Sequence, residues 1–361
     1  MQTEKSSQAT TAGPSDNGAD DARRLGDGKR GTTMPAPQRA PTLVDVARAA
    51  GVSRATASRV LASNGYAAPH TRDRVTAAAD RLGYVPDPAA RALVRGTGVR
   101  LVMVVHGTSP RALDDPYVDQ VVGAAARVCG PHGVGVALHW LPTRDLTQLR
   151  RLAEQRGVSG LILVNTTPSV LAAVPPALRG RVASLGVGSP LVASFDIDNG
   201  GGTTALVEHL YATGRRRIAM ISGSRWLPCA GRSVRAYRAV MRAAGLPTRL
   251  VRGDFTADRG RAAAREVLAR WPDTDAIVGA SDTTSFGVIS GLSRDGVQVP
   301  GDIAVTGFDD TPLAAMTTPS LTTSTHPVAG IATAAATAVL AGDAVRPPML
   351  FPSRPVHRMS G

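Results

Sequence analysis

A stretch near the N-terminus combines arginines with a complete lack of acidic residues. No Asp or Glu occurs at the 27 positions from 46 to 72, whereas four arginines do: Arg48, Arg54, Arg59 and Arg72. A solvated helix normally interleaves acids with its arginines, because oppositely charged residues four apart stabilise it. A surface without carboxylates suits a polyanion, since guanidinium groups bind phosphates and the edges of guanine. The chemistry predicted for this stretch is recognition of nucleic acid, and an ordinary solvated helix is the alternative.

Two short helices joined by a turn would present this surface. Thr42 and Ser53 are suited to cap helices over 43–50 and 54–62, and Gly51 is suited to end the first. The apolar residues expected to pack between them are Leu43, Val46, Ala47, Ala50, Val52, Ala57, Val60 and Leu61. This leaves one face of the second helix exposed, made of Arg54, Ala55, Thr56, Ser58 and Arg59. A helix-turn-helix needs that distribution when its second helix enters the major groove.

Two further segments would support this unit. A third helix is expected over 71–84, with Val75, Ala78, Ala79 and Leu82 buried. Next, Asp87 as N-cap, Pro88 at the first position and Gly96 at the end predict a helix over 87–96. So short a helix is not stable alone in water. Either it is a fraying linker, or it forms only on DNA beside its twin from a second subunit, with Leu93 as an apolar wedge in the minor groove.

From Val99 onward the pattern changes. Apolar runs alternate with helical segments in this part of the chain. The apolar runs are 100–105, 134–141, 160–165, 216–223, 275–281 and 302–308, and the helical segments are 117–129, 200–213, 231–244, 258–270 and 282–294. Such alternation is typical of βαβ units and parallel sheets, in one large sheet or in two lobes. The predicted organisation is a disordered tail over 1–41, with Met34 as an alternative start, a DNA-binding unit over 42–98 and an α/β domain over 99–357.

Composition is consistent with a globular protein of the cytoplasm. Of 361 residues, 43% are apolar, and the net charge of +13 is spread along the chain, so it argues only weakly for a polyanionic partner. Cys129 and Cys229 are the only cysteines, too few for a disulfide framework. No apolar run is long enough to cross a membrane, and the N-terminus lacks the apolar core of a secretion signal.

Two rival functions fit less well. An enzyme could use the paired carboxylates Asp309–Asp310 or Asp114–Asp115, but sequence neighbours seldom converge on one substrate. The histidines show no metal-ligand spacing, and no phosphate-binding or nucleophile motif occurs, so neither a metal nor a cofactor is expected. A sugar-binding protein without a regulatory role is disfavoured by the N-terminal unit.

Four blocks carry a resemblance to the LacI/GalR family of transcription regulators: "TLVDVARAAGVSRATASRVL" (42–61), "TRDRVTAAADRLGYVPDPAARALVRG" (71–96), "DNGGGTTALVEHLYATGRRRIAMISG" (198–223) and "VTGFDDTPLAAMTTPSLTT" (305–323). The resemblance covers residues 42–357. It implies a two-lobed effector domain like that of periplasmic sugar-binding proteins. It also implies a homodimer, or a tetramer built from dimers, that binds a pseudo-palindromic operator. A repressor is expected, and an activator is the alternative that the sequence leaves open.

The resemblance also implies roles for single residues. Thr42, Ser53, Ser58 and Asn64 would hold phosphates, and Arg59 would read bases. Arg54 and Ala55 occupy positions that vary with the operator sequence, and Leu93 fits the wedge.

The effector site matches the family less well. The position of the family's sugar-binding Arg holds Ser233, and Arg232 beside it is expected to point elsewhere. Ser281 replaces an Asn, and Gly186 replaces an acid. Asp309 is retained, with helix capping as its structural alternative, and Phe255 matches an aromatic on which ligands stack. We therefore expect an atypical small-molecule effector, a cleft rewired through Arg225, Trp226 or Arg232, or no effector.

Overall fold

The structure, a computed structural model, describes residues 40–62, 67–86, 99–155, 157–343 and 347–361. Contacts divide the chain into two units, residues 1–85 and 86–361. Nearly all of the predicted tail, Asn64, and the predicted helix 87–96 with Leu93 lie outside the described residues.

The first unit contains three helices: α1 (Leu43–Ala49), α2 (Arg54–Leu61) and α3 (Pro69–Leu82). Their shared core is the predicted one, with Val46, Ala57, Val75 and Ala78 fully or almost fully buried. The prediction for Leu82 is wrong, since this side chain is 38% exposed. The helix ends at Gly83, which has a φ of +61°, and the chain then turns so that Tyr84 packs on the core instead.

The second unit has two lobes, each built on a parallel sheet. The first sheet has the strand order β11-β5-β4-β3-β1-β2. Its strands are β1 (Arg100–Gly107), β2 (Gly135–Pro142), β3 (Val158–Thr166), β4 (Val182–Gly186), β5 (Ala193–Ile197) and β11 (Met349–Phe351). Helices α4 (Pro116–Cys129) and α12 (Val328–Leu340) cover one face, and α5 (Gln148–Glu154) and α6 (Pro168–Ala172) cover the other.

The second lobe has a four-stranded sheet in the order β7-β6-β8-β9. Its strands are β6 (Ile218–Ser222), β7 (Arg249–Arg252), β8 (Ala276–Gly279) and β9 (Ala304–Thr306). Helices α7 (Asn199–Ala212) and α8 (Pro228–Ala243) pack on one face. Helices α9 (Ala257–Arg270) and α10 (Asp282–Arg294) pack on the other.

The chain crosses between the lobes more than once. It enters the second lobe at α7, passes the short helix α11 (Pro312–Met316), and returns to the first lobe at α12. After β11 the chain forms β12 (Pro355–Val356), which pairs antiparallel with β10 (Thr323–Ser324). The second lobe extends to the last residues, because Ser360 is buried and its hydroxyl donates to the Val305 carbonyl at 2.6 Å.

The predicted fold class is confirmed, with parallel sheets in two lobes. All six apolar runs became strands, and all five helical segments became helices. Among the described elements of this unit, the strands β4, β5, β7, β10, β11 and β12 and the helices α5, α6, α11 and α12 were not predicted.

Candidate nucleic-acid interface and inter-lobe cleft

Helix α2 exposes the predicted face. Arg54, Ala55, Ser58 and Arg59 are exposed and Thr56 is half-buried, while Ala57 and Val60 on the opposite side are buried. Ser53 caps the helix, because its hydroxyl accepts the Thr56 N–H at 3.1 Å. In the part of this unit that the structure describes, neither Arg54 nor Arg59 has a carboxylate partner. The face therefore keeps its positive charge available to a polyanion.

Thr42 is engaged within the protein. Its hydroxyl donates to Asp45 Oδ2 at 2.6 Å, and its backbone N–H donates to the same oxygen at 2.9 Å. This arrangement fixes the start of α1. The predicted phosphate contact by this hydroxyl would require the side chain to rotate away from Asp45.

Arg74 on α3 has a role that was not predicted. Its guanidinium Nη2 donates to the carbonyl of Ala50 and, at 3.2 Å, to that of Gly51. These carbonyls lie at the C-terminal end of α1, where helix carbonyls lack partners and carry partial negative charge. Arg74 therefore fixes the turn between α1 and α2. The sequence contains an arginine on α3, but nothing in it indicates that this side chain reaches the C-terminal end of α1.

Between the two lobes lies a cleft of about 770 Å³. It opens where the carboxyl ends of parallel strands meet, which is the usual ligand position in such sheets. Five of the six residues assigned to an effector line it: Trp226, Arg232, Phe255, Ser281 and Asp309. Ser233 is not among the lining residues, and neither is Arg225.

Backbone strain concentrates at this cleft. Asn165, Phe255 and Asp309 have φ values of 59°, 74° and 120°, and all three line the cavity. A positive φ is a genuine outlier for a bulky residue such as Phe and is typical of functional sites. The ring of Phe255 lies against Gly223, where an added Cβ would come within 2.0 Å of it. Glycine at 223 therefore permits the aromatic wall.

Arg232 corrects one prediction, because it does not point away from the cleft. Its Nη2 donates to Asp196 Oδ2 at 2.7 Å and to Asn199 Oδ1 at 2.6 Å. The side chains of this ion pair are 25% and 16% exposed. Because Asp196 lies on β5 of the first lobe and Arg232 on α8 of the second, the pair joins the two lobes.

Asp309 is held by His326 and does not cap a helix. Its Oδ1 lies 3.0 Å from His326 Nδ1, and the Tyr117 ring stacks on the imidazole with centroids 5.2 Å apart. Burial raises the pKa of Tyr117, and nearby carboxylates add to the effect. The phenol therefore stays protonated and can donate a hydrogen bond.

Asp282 fixes the loop that carries Asp309. This fully buried carboxylate accepts the Thr311 N–H at 2.7 Å, the Thr311 hydroxyl at 2.9 Å and the Thr323 hydroxyl at 2.5 Å. Burial, followed by repulsion from Asp309, raises its pKa to about 7. Its neighbour Ser281 caps α10, since its hydroxyl accepts the Thr284 N–H at 3.1 Å. Asp282 was not among the residues predicted from the sequence to form the site.

Neither a metal-binding cluster nor a membrane span occurs in the part of the chain that the structure describes. The described residues include no group of three or more His, Cys, Asp or Glu side chains placed to hold a metal ion. None of their helices is long and apolar enough to cross a membrane.

A three-helix unit with an exposed cationic helix, followed by two parallel-sheet lobes around a cleft, defines a helix-turn-helix regulator with a ligand-binding-type domain. The family model "Bacterial regulatory proteins, lacI family" matches residues 42–87, and "Periplasmic binding protein-like domain" matches 207–360. The chain belongs to the lacI family and is a DNA-binding transcription regulator, as the sequence predicted.

Two relatives are similar to this chain in sequence over most of its length. The HTH-type transcriptional regulator CelR of Thermobifida fusca is 36% identical over 311 residues, which cover 80% of this chain and 88% of that protein. The transcriptional repressor CytR of Escherichia coli is 28% identical over 301 residues, covering 80% and 85%. Both relatives are transcription regulators of the helix-turn-helix type.

Solved structures show the same architecture. A CelR–cellobiose complex has a TM-score of 0.64 at 30% identity, covering 89% of this chain and all of that one. A lac repressor dimer bound to operator and an anti-inducer has a TM-score of 0.77 at 26% identity, covering 89% and 99%.

Proposed function

We propose that this chain is a homodimeric repressor that acts on chromosomal DNA in the cytoplasm and binds a pseudo-palindromic operator through α2. The observation that carries the proposal is the exposed face of α2, where two arginines and a serine stand without a carboxylate partner among the described residues. Arg59 reads bases, and Arg54 and Ala55 set operator preference. Ser53, Ser58 and Asn64 hold phosphates, Thr42 does so once its hydroxyl has turned away from Asp45, and Leu93 enters the minor groove.

A second copy of the chain is the partner that the surface of the second lobe fits. Met316 and Leu313 on α11 are 76% and 58% exposed, and Met359 is 67% exposed. The Met359 N–H donates to Ser320 Oγ at 3.4 Å, which holds this segment close behind α11. Exposed apolar side chains grouped in this way are typical of an interface. The lac repressor dimer on its operator is consistent with this assignment.

The test is to sequence the DNA bound by the protein in its own cell, after cross-linking and immunoprecipitation. Inverted repeats should be enriched, with two half-sites a fixed distance apart. An Arg59→Gln variant should lose about 1–3 kcal/mol of discrimination at one position of each half-site. Uniform coverage of the chromosome would contradict the proposal and would favour a small-molecule-binding protein without a regulatory role.

For the cleft we propose a neutral or cationic small molecule with few hydroxyl groups. Six aspartates and three arginines line the cavity. Arg232 is paired with Asp196 and Arg259 with Glu266, so an anion would find only Arg111 without such a partner among the described lining residues. Ser281 is used in capping and Ser233 lies outside the lining, so neither replaces the missing anchors for sugar hydroxyls. Each hydroxyl of a bound sugar that is buried without a hydrogen-bond partner would weaken the binding free energy by about 1–3 kcal/mol.

Isothermal titration calorimetry tests this ligand class. Common mono- and disaccharides, with cellobiose included because of the relative's complex, should give no heat at micromolar protein concentration. Hydroxyl-poor amines and neutral heterocycles form the comparison set. A micromolar response to a saccharide would contradict the proposed ligand class and leave the DNA-binding assignment intact.

A further inference from the structure

The longest acid-free stretch of the chain lies in the second lobe, outside the DNA-binding unit. No Asp or Glu occurs from His209 to Gly253, and ten arginines do: Arg215, Arg216, Arg217, Arg225, Arg232, Arg235, Arg238, Arg242, Arg249 and Arg252. Half of them have structural partners. Arg217, Arg232 and Arg249 pair with aspartates, and Arg215 and Arg216 donate to backbone carbonyls.

Three of the others form a row on helix α8. Arg235, Arg238 and Arg242 are spaced by three and four residues, so they lie on one face of this 16-residue helix and all are exposed. In the part of the chain that the structure describes, none of the three side chains has a hydrogen-bond or ion-pair partner. We call these three residues the arginine stripe. It spans roughly 10 Å along the helix axis.

Helix α9, on the opposite face of the same sheet, provides an internal contrast. It also carries four arginines, and every one has a carboxylate partner: Arg259 and Arg270 pair with Glu266, Arg261 with Asp258, and Arg265 with Asp295. The positive charges on α9 are therefore neutralised by carboxylates, whereas those of the arginine stripe on α8 are not. Arg242 lies in the last turn of α8, where a cation is favourable, but Arg235 and Arg238 lie in the middle.

The surroundings of the stripe decide what kind of partner fits. Among the described residues from 212 to 312, no large apolar side chain is exposed. Protein interfaces need buried aromatic or aliphatic anchors at their centre. On this face of the sheet Tyr211, at the end of α7, is 38% exposed, and the Arg216 guanidinium stacks on its ring at 3.9 Å from the centroid. A charged row without an apolar centre fits a partner recognised by charge alone. The phosphate backbone of double-stranded DNA is such a partner, and the stripe is comparable in length to the ~6–12 Å widths of the DNA grooves.

We propose that the arginine stripe is a second, sequence-independent DNA-binding surface, which contacts phosphates of duplex DNA separately from α2. Its action goes beyond operator recognition, because it would hold non-operator DNA against the regulatory domain. Each phosphate contact releases counterions, so binding through the stripe depends steeply on salt.

The test uses the full chain and a fluorescent duplex of random sequence, titrated between 50 and 200 mM salt. Replacing the stripe in the variant R235Q/R238Q/R242Q should make the plot of log K against log salt shallower by about 2 to 3 units, at ~0.9 for each phosphate that the protein no longer neutralises. The control variant R261Q/R265Q/R270Q removes the same net charge from the same lobe and should leave the slope nearly unchanged. Circular dichroism of both variants verifies the fold.

A second arm separates the stripe from the DNA-binding unit. In an R54Q/R59Q background, weak salt-dependent binding to random duplex should remain, and only the stripe substitutions should abolish it. Equal slopes for the stripe and control variants would overturn the proposal and leave an acidic protein as the partner to look for. Because the duplex has no operator, this result does not depend on whether chromosomal operators are found.

Discussion

Asp282 shows how one buried carboxylate sets the pH response of the second lobe. Its pKa is raised from 3.8 to about 7, so the folded protein holds a proton that the unfolded chain has lost between about pH 4 and pH 7. The stability that accompanies this proton is fully present below about pH 4 and is lost as the pH rises through 7. The ionised carboxylate accepts all three hydrogen bonds from Thr311 and Thr323, whereas the protonated carboxyl carries an O–H donor, to which a threonine hydroxyl can turn and become the acceptor.

We predict that Asp282→Asn removes this pH dependence. Between pH 4 and pH 8 the wild type should lose on the order of 3–4 kcal/mol relative to the variant, at ~1.36 kcal/mol per pKa unit. Denaturant unfolding of both proteins across that range measures the difference at each pH, so contributions from other titrating groups cancel. Parallel curves for the two proteins would show that Asp282 titrates alike in the folded and unfolded states.

Arg74 gives a second prediction at the scale of the residue. Arg74→Ala should destabilise the first unit by about 1–2 kcal/mol, because two carbonyls at the end of α1 lose a charged donor at an exposed site. Arg72→Ala is the matched control on the same helix, since Arg72 is exposed and its side chain has no hydrogen-bond partner among the described residues. Hydrogen exchange of amides 43–61 measures the effect. Equal protection in the two variants would leave Arg74 without a role in the turn.

Single residues also show where prediction from sequence stops. The family position assigned to ligand contact holds Ser233, which does not line the cleft, whereas Arg232 does. A step of one residue rotates a side chain by about 100° around a helix. The long guanidinium nevertheless reaches Asp196, a residue 36 positions away whose nearness is not visible in the sequence. Contacts between distant segments decide the direction of such flexible side chains.

At the scale of elements, the apolar runs predicted six of the twelve described strands and missed shorter ones that contain polar or small residues. The segments "VASLG", "ASFDI" and "RLVR" form β4, β5 and β7, with four or five residues each and polar or small residues among them. They are strands because neighbours on the sheet complete their hydrogen bonds. Helix α12 was missed for the opposite reason. Its sequence "VAGIATAAATAVL" is small and apolar on most sides, so it lacks the amphipathic period of a surface helix.

The link between α8 and β5 is the element-scale feature that can be tested most directly. Arg232→Gln should lower the free energy of unfolding of the second unit by about 1–3 kcal/mol, because the pair is neither fully exposed nor fully buried. In a double-mutant cycle with Asp196→Asn, an interaction energy of about 1–2 kcal/mol is expected. Arg235→Gln on the same helix is the control and should change stability by less than ~0.5 kcal/mol. An interaction energy near zero would mean that the pair does not hold the lobes together.

At the scale of the whole molecule, the division into a DNA-binding unit and an α/β domain could be predicted from the sequence, because the period of the apolar pattern changes at Val99. The homodimer was expected from the family resemblance, but the surface that joins two copies was not predicted, because interface residues look like ordinary surface positions in the sequence of one chain. Met316 on α11 is 76% exposed, an unfavourable position for so large an apolar side chain unless a second copy covers it. Two recognition helices on one dimer would then bind two half-sites together.

We therefore predict that Met316→Asp converts the dimer into monomers and weakens operator binding by about 10²-fold or more, since the second half-site is no longer bound intramolecularly. Light scattering after size-exclusion chromatography measures the mass, and fluorescence anisotropy measures operator affinity. Leu350→Asp is the control, because Leu350 is 62% exposed but lies on the edge strand of the first lobe. It should leave both mass and affinity unchanged. A dimeric Met316→Asp protein, or a monomeric one that keeps full operator affinity, would contradict the assignment of this surface to the partner copy.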